Sequence, residues 1–263
     1  MKTCIWCKQT SLETDFLNEA HILPQSLGSK RICENVCDEC NAYFGASDTG
    51  KPSIDEAVKE VFNLTKKLML DNTKFLQPNY FQKWRYKSRY FRFSKNGLKE
   101  KPQFRRQVGF RSELVKQFKR GIYKIYLEEN EERTGSSLDS KFDWIRSFAR
   151  YQEGNIPVYY FQRKFIAIKT YPVLINHPVT YWAPDFDHLF SSDSWFEFEI
   201  LSHVFSFPLI KTYTLVDHID LPLSSRCKSM HFMKRPLLIR RITDIDIMHL
   251  RAHKNAEKMQ WSS

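Results

Sequence analysis

What the chain lacks narrows its character first. No apolar run approaches the roughly eighteen residues of a membrane span, and the opening Met1-Lys2-Thr3-Cys4 has no signal-peptide core. No internal repeat or low-complexity tract interrupts the sequence, which argues against a solenoid or a fibrous protein. The expectation from these absences is a soluble protein, cytoplasmic, without a membrane partner. At 263 residues and 42% hydrophobic content the chain can bury a substantial core, in one or two domains. The basic surplus is missing from the first fifty residues, which hold four basic and seven acidic side chains, a net of −3, although the whole chain carries +11.

Cysteine is scarce, and four of the six fall in one frame. Cys4-Ile-Trp-Cys7 and Cys37-Asp-Glu-Cys40 bracket the stretch EAHILPQSLGSKR. Two CxxC turns, each offering two sulfurs, can close a tetrahedral zinc site. Two disulfides or four unrelated thiols are the alternatives, and the absence of a signal peptide favours zinc over disulfides. Cys33 and Cys227 stand apart as core or surface thiols. Between the clips, Asn18 to Leu23 reads as a short strand stopped by Pro24, residues 26–30 as a turn, and Ile32 to Val36 as a returning strand. NAYFGASD can then begin a helix with Asn41 as its cap. Asn41 and Asp48, seven residues apart, would share a face near His21.

The stretch CIWC…EAHILPQSLGS…VCDECNAYFGASD resembles the HNH endonucleases, in particular their zinc-bound ββα-metal finger subgroup. The resemblance implies hydrolysis of phosphodiester bonds in nucleic acid, with DNA the expected partner and one divalent ion, Mg²⁺ or Mn²⁺, as catalytic cofactor. His21 would be the general base, and Asn41 and Asp48 would fill the motif's later positions, Asp48 as a metal ligand. Cys4, Cys7, Cys37 and Cys40 would hold a structural zinc.

The residue types suit that chemistry on their own terms. Histidine can accept a proton near neutral pH, and a divalent ion held by oxygens can stabilise charge on a phosphate. A zinc with four thiolates has no open position, so its part is structural. Two departures from the family pattern stand out. Ala20 occupies the place where relatives commonly carry an acidic ligand before the histidine, and Asp48 stands where the final histidine of the motif would be. Glu19, two residues before His21, would lie on the same strand face and could take over the missing ligand position.

Beyond the finger, Ser53-Ile-Asp-Glu56 is a capping-box pattern that opens a helix with Ile54, Val58, Val61, Phe62, Leu64 and Leu68 as its apolar face. From Lys83 to Lys124 there are fifteen Lys or Arg against Glu100 and Glu113, a net of +13, so the remainder of the chain sums to −2. WRYKSRYFRF followed by Asn96-Gly97 predicts a hairpin around a type I′ turn. Its cations could grip phosphates while Trp84, Tyr86 or Tyr90 stack on bases. Helices are expected over Ser112 to Glu132 and from Leu138-Asp139 onward, the latter with Phe142, Ile145 and Phe148 as its stripe. After Ile156 the pattern turns to β, predicting an antiparallel sheet of four or more strands. His177, His188, His203 and His218 show no ligand spacing, and the tail from IRRITDIDI on could form a short helix, basic at its end.

The expected architecture is α+β: an HNH zinc finger over 1–51, a helical and basic nucleic-acid-binding segment over 52–135, and an α+β region with an antiparallel sheet over 136–263. A metal-dependent endonuclease is the leading reading. Its rivals are a zinc-stabilised nucleic-acid-binding protein without catalysis, suggested by Ala20, and an interaction module whose basic segment meets an acidic protein.

Overall fold

A computed structural model describes residues 1–47, 51–73, 88–94, 97–163, 177–182, 185, 189, 191–211 and 233–245. Asp48, residues 83–87 with Trp84 and Tyr86, His188, His218, Cys227 and the tail from 246 on lie outside the described residues, so the expectations placed on them do too.

The N-terminal unit is a strand, a turn, a strand and a helix. Ala20–His21 (β1) pairs antiparallel with Ile32–Cys33 (β2), and Asp38–Gly45 forms α1. Both strands are two residues long, shorter than the sequence pattern suggests, because Pro24 and a 3-10 turn over Gln25–Leu27 interrupt the ladder. Gly28, with φ of +88°, closes that turn in the left-handed region that glycine enters without strain.

Ile54–Thr73 (α2) opens with Ser53 Oγ accepting the backbone N–H of Glu56, as the capping pattern predicts. The Glu56 carboxylate does not complete the box; it accepts instead from Arg89 and the Tyr90 hydroxyl. Ile54, Val58, Val61 and Phe62 of the predicted stripe are buried, and the side chains of Leu64 and Leu68 lie outside the described set. Phe91–Ser94 (β3) and Gly97–Glu100 (β4) form the expected hairpin. Its register pairs Ser94 with Gly97, so Gly97 belongs to the strand and not to the centre of the turn. Pro102–Arg105 (α3) leads into the 25-residue Phe110–Thr134 (α4), followed by Asp143–Ala149 (α5). Phe142, Ile145 and Phe148 are buried as the stripe predicts.

The second half builds a five-stranded antiparallel sheet from Tyr159–Arg163 (β5), Thr180–Trp182 (β6), Trp195–Ile200 (β7), His203–Pro208 (β8) and Met233–Leu238 (β9), in the order β6-β7-β8-β5-β9. Its aromatics pack on the helices. Phe205 meets Phe62 of α2 and Phe118 of α4, and Phe207 and Phe196 meet Tyr123 and Tyr126 of α4 at centroid separations of 4.8 Å each. Tyr126 also stacks on Trp182. One hydrophobic cluster joins the finger, the helices and the sheet, with α4 packed on α2, α5 and β2.

The close crossing of α2 and α4 depends on Gly121. A Cβ there would sit 2.2 Å from Val58 Cγ2. Among the described residues no helix is long and apolar enough to cross a membrane. Mixed helix and antiparallel sheet behind a cysteine-anchored finger is the expected fold class, and it is the one observed.

Candidate active site

The four cysteines of the two clips meet. Their sulfurs all lie within 4.8 Å of one another, and Cys7 Sγ and Cys37 Sγ are 3.7 Å apart. A tetrahedral zinc with Zn–S near 2.3 Å needs sulfurs roughly 3.8 Å apart, whereas a disulfide needs about 2 Å; all four are free thiols. The donor set fits zinc. Lys8, at φ +64°, turns the first knuckle, and its N–H bonds the Cys4 carbonyl. The Cys37 N–H points at Cys4 Sγ at 3.4 Å, and Arg150 Nε at the end of α5 points at Cys40 Sγ at 3.3 Å. Donors aimed at sulfur stabilise thiolate ligands. Among the bare thiols, the hydrogen bond from Cys40 lowers Cys4 to about 5, while burial pushes Cys7 up to about 12. Cys33 is buried in the core nearby and stays outside the cluster.

His21 lies at the end of β1, its side chain 16% exposed, with Nε2 3.7 Å from Glu19 Oε2. Ala20 between them points into the core, 2% exposed. Glu19 and His21 therefore share the outward side of the strand, as alternation requires. His21 Nδ1 is buried with no partner among the described residues, so Nε2 is the nitrogen that can meet water.

Helix α1 holds this strand from below. Asp38 Oδ1 accepts from the backbone N–H of Leu17 and of Asn18, at 3.0 and 2.9 Å, and Asn41 Nδ2 donates to the Glu19 carbonyl at 3.1 Å. The cap expected at Asn41 is instead Cys37. The helix starts four residues sooner because Cys37 has the extended backbone of a cap, which places Asn41 inside the helix with its amide free to reach β1. Asp48, the remaining expected ligand, lies outside the described residues.

The long helix α4 holds the finger from the other side, a role that charge counting along the sequence did not reveal. Lys124 Nζ donates to the His21 carbonyl at 2.9 Å and pairs with Glu128 Oε2 at 2.8 Å, both side chains being buried. Trp6 Nε1, from the first cysteine knuckle, donates to the other Glu128 oxygen at 3.1 Å. Burial works against charge on Lys124, but Glu128 and Asp55 outweigh it and hold its pKa above the usual value; burial pushes Glu128 up to about 7 against the pull of Lys124. Further along α4, Glu129 pairs with Arg31 and Glu131 accepts from Asn35 Nδ2 at 2.7 Å. The acidic turn of α4 is thus a dock for the finger. The signal in the sequence was the acid run from Glu128 to Glu132 that follows the apolar stretch ending at Leu127.

The basic segment does not act as one surface. Lys119, Arg120 and Lys124 are buried. Arg120 spends its guanidinium on Gln117, Tyr43 and the carbonyls of Phe148 and Ala149. Tyr90, expected to stack on bases, is 2% exposed and packs edge-on against Phe104 with Phe110 beside it. Arg92, Lys99, Arg105, Arg106 and Arg111 remain exposed. Of the histidines, His203 is buried between Thr65 and Tyr160, and His177 meets the Gly28 carbonyl.

No curated protein and no solved structure matches the chain. Residues 4–51 match the model of a family described as HNH endonuclease. That span contains all four clustered cysteines, His21 and its partner Glu19, and the clamps from Asp38 and Asn41, so the N-terminal finger is similar to an HNH endonuclease domain and carries a cysteine cluster suited to a structural zinc.

Proposed function

We propose that this chain is a metal-dependent endonuclease that hydrolyses phosphodiester bonds in nucleic acid, DNA first among candidates, with His21 as the general base. The observation that carries the reading is the Glu19–His21 pair, held outward on a strand clamped by Asn41 and Lys124 inside the HNH-matching segment. His21 Nε2 takes a proton from the attacking water as the water oxygen bonds to phosphorus. The bond from phosphorus to the leaving sugar oxygen breaks as that oxygen takes a proton from solvent water. Asn41 is a positioning residue, fixing the backbone one residue before β1. Magnesium is commonly held by one or two carboxylates together with substrate phosphate. Glu19 would supply one such carboxylate and Asp48 the second, and the ion would stabilise charge on the phosphate.

A nicking assay on plasmid with Mg²⁺ or Mn²⁺ tests this. His21→Ala should lower the cleavage rate by roughly 10²–10⁴-fold while zinc content and DNA binding stay at wild-type values. Full cleavage by a folded, zinc-loaded His21→Ala protein would remove the assignment. One observation favours the rival, a nucleic-acid-binding protein without catalysis: the place of the usual acidic ligand is taken by a buried alanine. Glu19→Ala decides between them, because loss of metal-dependent cleavage shows that Glu19 fills the role, and absence of cleavage even in the wild type supports the rival.

A further inference from the structure

A cavity of about 460 Å³ opens where three separate segments meet: the β3–β4 hairpin, the α3–α4 corner, and the turn that follows β9. Arg92, Lys99, Arg105, Arg111 and Arg241 line it, with Glu100 the one acid. Arg111 ties off that acid through a two-pronged interaction, its Nε and Nη2 at 2.6 to 3.0 Å from the carboxylate oxygens. Arg92, Lys99 and Arg105 have no acidic partner among the described residues. All three are exposed side chains that line the cavity and stand open to an anion from solvent. Phe91, Leu114 and Ile242 supply an apolar floor. The volume is that of a site for a small molecule or a nucleotide unit.

We propose that this cavity is a phosphate-binding pocket, distinct from the His21 centre, that seats one or two phosphates of a nucleic-acid strand. Only the source of the phosphate rests on the nuclease reading; the chemistry recognised is that of a nucleotide's phosphates, on a strand or free. Arginine forks match phosphate oxygens in pairs, and the apolar floor suits the face of a sugar or base. Arg241 lies 117 positions beyond Lys124, where the basic run of the sequence ends, so the C-terminal part of the chain completes a site that the basic segment only begins.

The pocket is far from the proposed catalytic histidine. Arg111 and Lys124 sit on one helix, thirteen residues apart, which at 1.5 Å per residue is about 20 Å along its axis. Lys124 holds the His21 carbonyl. A strand engaging both places must therefore run roughly six nucleotides, at about 3.4 Å per step. The acidic finger then need not attract its substrate by charge, because the strand is gripped elsewhere.

The test uses the full-length, zinc-loaded protein and two probes, a labelled 20-base-pair DNA and inorganic pyrophosphate. Lys99→Glu combined with Arg105→Glu should weaken DNA binding at least tenfold. It should also make the slope of log affinity against log salt shallower by about 0.9 for each phosphate that is no longer neutralised. Lys141→Glu combined with Lys211→Glu, the same charge change on two exposed side chains elsewhere, should do neither. Pyrophosphate should bind the wild type, compete with the DNA, and lose affinity in the double variant. If the double variant loses pyrophosphate but keeps DNA, the pocket serves free nucleotides rather than a strand, and the strand assignment is overturned. Unchanged binding of both probes overturns the pocket altogether. Should the double reversal fail to fold, Lys99→Gln with Arg105→Gln carries the same comparison. A wild type that never cuts DNA, in which the substitutions still weaken both probes, would sink the nuclease reading and leave the pocket standing.

Discussion

The finger and the body of this protein share one hydrophobic cluster but differ in what is added to it. The finger has two-residue strands and depends on polar clamps: four sulfurs, the Asp38 and Asn41 side chains on the 17–19 backbone, and Lys124 on His21. The body depends on aromatic packing, with Phe62, Phe118, Tyr123 and Tyr126 of two helices set against Phe196, Phe205 and Phe207 of the sheet. Polar clamps are directional and position a strand to a fraction of an ångström, but contribute modestly when each is counted alone. Apolar burial is non-directional and supplies most of the stability. The difference teaches that placement of the proposed base and stability of the fold are carried by separate parts of the chain, joined along α4.

The sharpest way to break the comparison is to remove the metal. Binding of structural zinc is worth about 10–16 kcal/mol in small modules, far more than the clamps around it. Chelation, or Cys37→Ser, should expose the amides of residues 1–47 to hydrogen exchange while the five-stranded sheet stays protected. Loss of protection across the sheet as well would show that the two regions do not stand apart.

A second test strikes the seam. Glu128→Gln leaves an acceptor for Trp6 but takes from buried Lys124 its nearer carboxylate, leaving only Asp55 Oδ1 at 3.8 Å, and breaking such a pair costs up to about 3–5 kcal/mol. Thermal unfolding should shift down accordingly. Cleavage should fall beyond what reduced stability explains, because Lys124 also holds the His21 carbonyl. A variant with wild-type melting would mean that the pair is dispensable.

The smallest expected effect lies within the body. Gly121→Ala drives a methyl group into Val58, and overpacking of this kind costs about 1–3 kcal/mol. Denaturant unfolding should register that decrease while zinc content and cleavage per folded molecule stay unchanged. A change in zinc affinity would show that helix spacing is transmitted to the finger.

Much of this was legible in the sequence because it rests on local rules. The double CxxC frame, the Ser53 cap, the stripe of Phe142, Ile145 and Phe148, and the β-rich second half each follow from spacing within a few residues, and the structure has them. What was hidden depends on partners far apart in the chain. Lys119, Arg120 and Lys124 counted as surface charge until the acceptors of Arg120 and Lys124, up to 103 positions away, were in view. Tyr90 looked like a stacking platform because nothing local says that Phe104 and Phe110 close over it. The Asn41 cap failed for a subtler reason: a metal-binding turn and a helix cap both favour an extended residue, and Cys37 serves as both.

The hydrogen bond between Lys124 and the His21 carbonyl bears on how this finger could be reused. Residues 1–51 look like a portable cassette, with their own metal frame and their own histidine. Grafted onto another protein, the cassette would keep its sulfurs yet leave behind the ammonium that seats β1 and the glutamate that answers Trp6. A host scaffold would have to offer a helix with lysine and glutamate four residues apart at the same height, which makes the true unit of transplantation the finger together with the middle of α4.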